Sequence, residues 1–326
     1  MSVLIGCSPS TGSSLLRRML NRHSEIFCGS ETYLFSKEAL YTDWQKSHKK
    51  IMRPSLFGLT NAGWHIFVGV ELGEDYNYSK LDFKHLLAKK HDDFSSFVHA
   101  FYEPLMKRNK ASVWVEKSPS NAFTLDLFLD QFTDGKAIHI VRDPLDVIAS
   151  LYNRGMSMYN ATAVCLLNMS KILSIPSDKI ITIKYEALVA NATEVLSDIC
   201  SFLELSFEPI MLLPQRGESG GTTMKGWNYD ETQKVEQGSV GRFQKLDVEL
   251  QEDILKCIYY LRQIRFQKFT SIAEIRKELY HLDTPVIKDS SYKEKLVAEK
   301  AADIHQRHFS NAYFKKQNYP LVINDE

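Results

Sequence analysis

Val3-Leu4-Ile5-Gly6-Cys7-Ser8-Pro9-Ser10-Thr11-Gly12-Ser13-Ser14-Leu15-Leu16 carries a strand, a turn and the start of a helix within fourteen residues. Val3 to Cys7 is a short apolar run with β-branched residues, the pattern of a buried strand. A polar turn follows, and a helical pattern begins near Gly12. The turn suits an anion. Gly12 lets backbone approach closely, and Ser10, Thr11, Ser13 and Ser14 line it with small hydroxyls. The helix start presents free N–H groups at the positive end of its dipole. A plain strand–turn–helix connection with a serine cap is the other reading. The loop is not the nucleoside-triphosphate type, G-x-x-x-x-G-K-[ST]. Five residues separate Gly6 from Gly12, and Ser13 stands where that motif has lysine. A phosphate fits here, but the usual triphosphate clamp is missing.

Further strands are predicted at Ser112 to Val115, Ala137 to Val141 and Lys179 to Lys184. Helices are predicted over 12–23, 121–131, 144–156 and 186–204. Strands alternating with helices imply βαβ units and a parallel sheet. Residues 33–110 carry fourteen aromatics from Tyr33 to Tyr102 without a strand rhythm, and read as mainly helical, folded over the sheet edge. A charged helix is expected from Ser290 to about Phe314, with Tyr292, Leu296 and Ile304 on one apolar face.

The whole chain, 326 residues with 40 basic and 40 acidic side chains, has no net charge, which argues against a general nucleic-acid binder. At 44% hydrophobic and 25% charged residues it is not disordered or low in complexity. The five cysteines (7, 28, 165, 200 and 257) form no C-x-x-C pair and read as buried thiols. No basic-then-apolar leader is seen and no run approaches the ~18 apolar residues of a membrane span, so a cytoplasmic location is expected.

A second phosphate signature lies at Ala137-Ile138-His139-Ile140-Val141-Arg142-Asp143-Pro144-Leu145-Asp146-Val147-Ile148-Ala149-Ser150, with Arg154 one turn further. Asp143 can cap the helix and Pro144 suits its first turn. Arg142 falls at a strand's C-terminal end, where open α/β sheets bind ligands, and Ser150 follows about two helical turns on. An arginine and a hydroxyl at one cleft can clamp a phosphate. A capped helix with a surface arginine is the plainer alternative. His139, inside the strand, reads as a core residue.

Pro9 to Leu16 resembles the 5′-phosphosulfate loop of the 3′-phosphoadenosine 5′-phosphosulfate-dependent sulfotransferases, P-[KR]-S-G-T-[ST]-[LW]-[LM]. Leu20 to Thr32 is similar, without a gap, to the tyrosylprotein branch stretch ML-D-A-H-P-x-V-R-C-G-E-E-T. Arg142 and Ser150 match the family's 3′-phosphate signature R-x-x-x-x-x-x-x-S, and Arg154 matches a basic position of the tyrosylprotein branch. Lys184-Tyr185-Glu186 resembles its strand-end Y-E-x-L, and Gln237 to Phe243 its late G-x-x-G-x-W loop. The resemblance spans about residues 3–262. It implies a P-loop NTPase-like three-layer α/β fold, a central parallel sheet flanked by helices. It also implies one sulfotransferase domain over 1–270, with 33–110 an acceptor-side helical insertion, and a helical extension over 271–326.

The implied co-substrate is 3′-phosphoadenosine 5′-phosphosulfate, leaving 3′,5′-bisphosphoadenosine, with no metal. The implied nucleotide contacts are Ser10, Thr11, Gly12, Ser13, Ser14, Arg142, Ser150, Arg154, Tyr185, Ser239 and Arg242. Sulfuryl transfer needs a base for the acceptor proton, an in-line geometry, and a cation for charge growing on the bridging oxygen. The match puts the base at Glu31, with His65 a weaker alternative. It puts the cation at Lys117 in Glu116-Lys117-Ser118-Pro119, with Glu116 expected to position Lys117. The chain departs from the family at Ser10, which replaces the loop's basic residue; Lys117 carries more of that work, or Arg17 or Arg154 substitutes. The expected partner is a small hydroxyl acceptor (an apolar alcohol, sterol, lipid or phenol), with no nucleic acid and no membrane span. A P-loop-type kinase and a non-catalytic nucleotide-binding protein are the alternatives, and oligomeric state is open.

Overall fold

The computed structural model describes residues 1–29, 31–51, 76–78, 80–213, 237–264, 266, 268–302 and 321–323. In chain order the elements begin with β1 (Ser2–Cys7), α1 (Ser13–Leu20), β2 (Ile26–Phe27), α2 (Glu38–Thr42), α3 (Trp44–Ile51), α4 (Lys80–Ala88) and α5 (Phe94–Asn109). They continue with β3 (Val113–Lys117), a 3₁₀ turn (Pro119–Phe123), α6 (Leu125–Gln131), β4 (Gly135–Val141), α7 (Pro144–Tyr152), α8 (Met158–Leu173) and β5 (Ile180–Lys184). Then come α9 (Tyr185–Ala190), α10 (Ala192–Phe202), α11 (Val248–Tyr260), β6 (Leu261–Gln263), α12 (Ile272–Tyr280), α13 (Ser290–Ala302) and β7 (Leu321–Ile323). The elements fall into two compact units. One is residues 1–7, 12–140 and 177–236; the other is residues 8–11, 141–176 and 237–326.

The first unit holds a five-stranded sheet in the order β2-β3-β1-β4-β5. β1 runs parallel to β3 on one side and to β4 on the other. All six of its residues are buried, which explains its unbroken apolar run. Ile5 pairs with Lys117 and Cys7 with Ile140, so the C-terminal ends of β1, β3 and β4 share one sheet edge. The four expected strands are all present, each within two residues of its predicted bounds. β2, two residues beside β3, was not anticipated: a pair of residues is too short to carry a period. The helix expected over 186–204 is split, because Asn191 leaves helical geometry and its side chain caps α10 at the Glu194 N–H.

The described part of 33–110 is helical, and α5 packs on β2 and β3. Its aromatics form one packed set. The Trp114 ring stacks on Tyr102 with centroids 4.2 Å apart and on Phe35 at 5.4 Å.

The second unit is built on α8. Fourteen of its sixteen residues are buried, with α7, α11, α12 and α13 against it. A helix buried on every side, with Asn160, Thr162, Asn168 and Ser170 buried among its apolar residues, shows no amphipathic stripe to read. α7 starts as anticipated: Pro144 opens it and the Asp143 carboxylate accepts from the Leu145 N–H. Arg276 of α12 donates to both Asp143 oxygens. Tyr292 and Leu296 of α13 are buried, and Ile304 lies outside the described residues. All five cysteines are free and buried. No helix among the described residues is long and apolar enough to cross a membrane.

Trp114→Ala removes the centre of the aromatic set and is expected to cost about 3–5 kcal/mol of stability. Urea unfolding measures it.

Candidate active site

The first unit gathers the predicted base and cation. Lys117 is the last residue of β3, and its side chain is only 2% exposed. A buried ammonium needs partners. Its Nζ donates to the Ser14 hydroxyl at 3.2 Å and forms an ion pair with the Glu31 carboxylate. The Glu31 side chain keeps 31% exposure, so it faces outward while Lys117 does not. Burial pushes the Glu31 carboxyl up, but the Lys117 ammonium, a hydrogen bond from the Tyr33 phenol and the Arg17 charge outweigh it, and its pKa lies below the ordinary carboxylate value. Arg17, one of the suggested substitutes for the missing loop cation, thus acts on Glu31 through its field.

Gly12 stands at the head of α1 with φ +90°, a conformation costly for any side chain. A Cβ built there would lie 2.3 Å from Tyr185 Cδ2. Tyr185, placed by the start of α9, therefore covers the loop glycine. No side chain caps the start of α1, so its first N–H groups have no side-chain acceptor.

Glu116 does something other than expected. Adjacent residues on a strand point to opposite faces, and its carboxylate turns away from Lys117's role. It is fully buried and accepts from the Thr32 N–H and hydroxyl, both at 2.9 Å, from the Ser118 hydroxyl at 2.7 Å and from Asn121 Nδ2 at 2.5 Å. Burial pushes its pKa up, and these four donors work against that.

The second unit gathers residues from three distant segments. Arg142 is buried just past β4. It donates to the Ser10 carbonyl at 3.1 Å, to Asp146 Oδ2 at 3.3 Å and to the Ser239 carbonyl. Arg242 donates to the Ser150 hydroxyl and to the Ser239 hydroxyl, each at 3.0 Å. Arg142, Ser150, Ser239 and Arg242 thus form one cluster with Ser10. Ser10 has φ +70°, unusual for a residue with a side chain, and its buried hydroxyl has no partner among the described residues. Thr11 bonds back to the Ser8 carbonyl at 2.9 Å. Arg154 lies on the turn that closes α7.

Asp146 was missed. It is 3% exposed, and besides Arg142 it accepts from the Gly241 and Phe243 N–H groups, both at 2.8 Å. It ties the 237–243 loop to α7 and orients Arg142. Its position i+4 from Arg142 was the available signal. His139 is fully buried in β4, and burial depresses its pKa to about 3. His65 lies outside the described residues. No group of three or more His, Cys, Asp or Glu among the described residues is placed to hold a metal.

The model of the sulfotransferase family matches residues 2–209. The chain is 26% identical over 237 residues to protein-tyrosine sulfotransferase 2 of Gallus gallus, covering 68% of this chain and 56% of that protein. It is 21% identical over 238 residues to protein-tyrosine sulfotransferase 1 of Danio rerio, covering 68% and 59%. The match therefore spans less than two thirds of the length of those relatives. Among solved structures, the sulfotransferase domain from the curacin biosynthetic pathway superposes with a TM-score of 0.56 at 21% identity, over 87% of this chain and 98% of that one. The sulfotransferase domain of the Synechococcus PCC 7002 olefin synthase gives 0.54 at 22% identity, over 76% and 89%. Those two likenesses establish the parallel-sheet α/β fold. With the family model matched over well more than half of its length, the chain belongs to the sulfotransferase family.

Proposed function

We propose that the protein moves a sulfuryl group from 3′-phosphoadenosine 5′-phosphosulfate to the hydroxyl of a small apolar acceptor, an alcohol, sterol, lipid or phenol. The observation that carries this reading is the Lys117 ammonium, held between Ser14 of the phosphate loop and Glu31. One cation then adjoins both the loop that would hold the leaving phosphate and the carboxylate that would take the acceptor's proton.

The residues fit such a nucleotide. Gly12 keeps the loop free of a Cβ under Tyr185, the first turn of α1 offers uncapped N–H groups, and the buried Ser10 hydroxyl lacks a partner. Gly12, Ser13 and Ser14 are assigned to the 5′ end. Arg142, Ser150, Ser239 and Arg242, with Arg154 beside them in sequence, are assigned to the 3′-phosphate. The bound nucleotide supplies the activated sulfuryl group. Glu31 accepts the proton as the acceptor oxygen bonds to sulfur, and is ionised at neutral pH to do so. Lys117 meets the negative charge that grows on the bridging oxygen as its bond to sulfur breaks. Its burial keeps water from weakening that interaction. With Ser10 in place of a basic loop residue, Lys117 is the cation best placed for this within its unit.

Transfer from sulfur-labelled donor to a panel of hydroxyl compounds tests the reading. Glu31→Gln should leave bisphosphoadenosine affinity intact and lower turnover by ~10²-fold or more; near-normal turnover would take the base role from Glu31. Arg142→Ala should weaken bisphosphoadenosine binding by about 2 kcal/mol, roughly thirtyfold. Unchanged affinity in a calorimetric titration would remove Arg142 from the phosphate site.

A further inference from the structure

The three residues that follow Glu31 are fastened to one oxygen atom. The Thr32 N–H donates to Glu116 Oε1 at 2.9 Å. The Tyr33 N–H donates to the Ser118 hydroxyl at 2.9 Å, and that hydroxyl donates to the same Oε1 at 2.7 Å. The Leu34 N–H donates to the Thr32 hydroxyl at 3.1 Å, and that hydroxyl donates to Oε1 at 2.9 Å. Three consecutive peptide N–H groups thus end on Glu116, one directly and two through a hydroxyl each. An N–H can only donate, so each hydroxyl that receives one has its own hydrogen left for the carboxylate. The other carboxylate oxygen accepts from Asn121 Nδ2 at 2.5 Å, and Glu116 is fully buried. Tyr33 stands at φ +54°, a conformation that a residue with a side chain keeps only where its surroundings fix it.

Building on the reading of Glu31 as base, we propose that Glu116 is a positioning residue of the transfer reaction. It sets the backbone that carries Glu31, and so the place of the base beside Lys117. Two successive residues of β3 share the work. Glu116 grips the peptide that joins Glu31 to Thr32, and Lys117 pairs with the Glu31 carboxylate. Base and cation are therefore mounted on one stretch of strand. The chemistry gives this a purpose. On taking the acceptor's proton, Glu31 loses its charge and with it most of its attraction to Lys117. The bonds to Glu116 come from backbone and hydroxyls, so they do not depend on that charge. They keep the base aligned through the step in which the ion pair weakens. Alignment matters at this scale, because a misplacement of about 1 Å can cost ~10²-fold in rate.

Thr32→Val tests this. It keeps the shape and the N–H but deletes the hydroxyl that links Leu34 to Glu116. Turnover is followed as sulfuryl transfer from labelled donor to 4-nitrophenol, and bisphosphoadenosine affinity by calorimetry. Thr32→Val should lower kcat about tenfold, with donor KM and bisphosphoadenosine affinity unchanged. In a Glu31→Gln background, itself slow, the same substitution should have no further effect, because Thr32 acts only through Glu31. Two variants of Glu116 separate grip from charge. Glu116→Asp keeps the charge but draws the oxygens back by a methylene, and should lose about tenfold in kcat. Glu116→Gln gives up the charge but keeps an oxygen for Thr32 and Ser118, and should lose less than about threefold. The reverse order of those two, or an equal loss from Thr32→Val with and without the Glu31 carboxylate, overturns the proposal while Glu31 stands as base. Near-normal turnover of Glu31→Gln alone removes the base, and the proposed role falls with it.

Discussion

A buried ammonium decides how the sheet edge of this protein is built. Lys117 sits at the end of β3 with almost no exposure, where an unpaired charge would cost several kcal/mol. It is accommodated by a loop hydroxyl on one side and a carboxylate on the other. Everything that fixes those two partners then follows. Parallel pairing of β1 and β3 sets Lys117 beside Ser14 at the head of α1, and the packed turn at Thr32 and Tyr33 brings Glu31. Breaking the pair from either side would strand a charge, so the same interaction that fits transfer chemistry also holds the edge together.

The second unit solves a related problem with arginine. Arg142 and Arg242 reach hydroxyls and carbonyls of Ser10, Ser150 and Ser239, and the buried Asp146 offsets part of their charge. A planar guanidinium suits several oxygens at fixed angles, where lysine would offer only a point charge. Asp146 also accepts two N–H groups of the 237–243 loop, so orienting the arginine and docking the loop are one interaction network.

Much of this was legible in the sequence because parallel strands at the centre of a sheet are apolar on both faces. Val3 to Cys7 and Ala137 to Val141 could be read for that reason, and their ends pointed to Ser10–Ser14 and Arg142 as candidates for a ligand site. Glu31 and Lys117 were found by motif, and the ion pair between them explains why both types stand there. What escaped had no local signal. α8 is buried all round and has no stripe, and β2 is two residues long. Asp146 looked like one more polar residue in a helix until the loop packed against it. Glu116 was expected to serve Lys117, yet its carboxylate serves Thr32, Ser118 and Asn121, because neighbours on a strand diverge. Tyr33 reads as one aromatic among many; only its backbone angle and its hydrogen bonds set it apart.

On the proposed reading, the protein takes a doubly phosphorylated adenosine and not a metal-bound triphosphate. Calorimetric titration with 3′,5′-bisphosphoadenosine, beside ATP with Mg²⁺, tests it most directly. Micromolar binding of the bisphosphate without metal, with little binding of ATP, is expected. A preference for ATP with Mg²⁺ would contradict it and would place the chemistry with phosphoryl transfer.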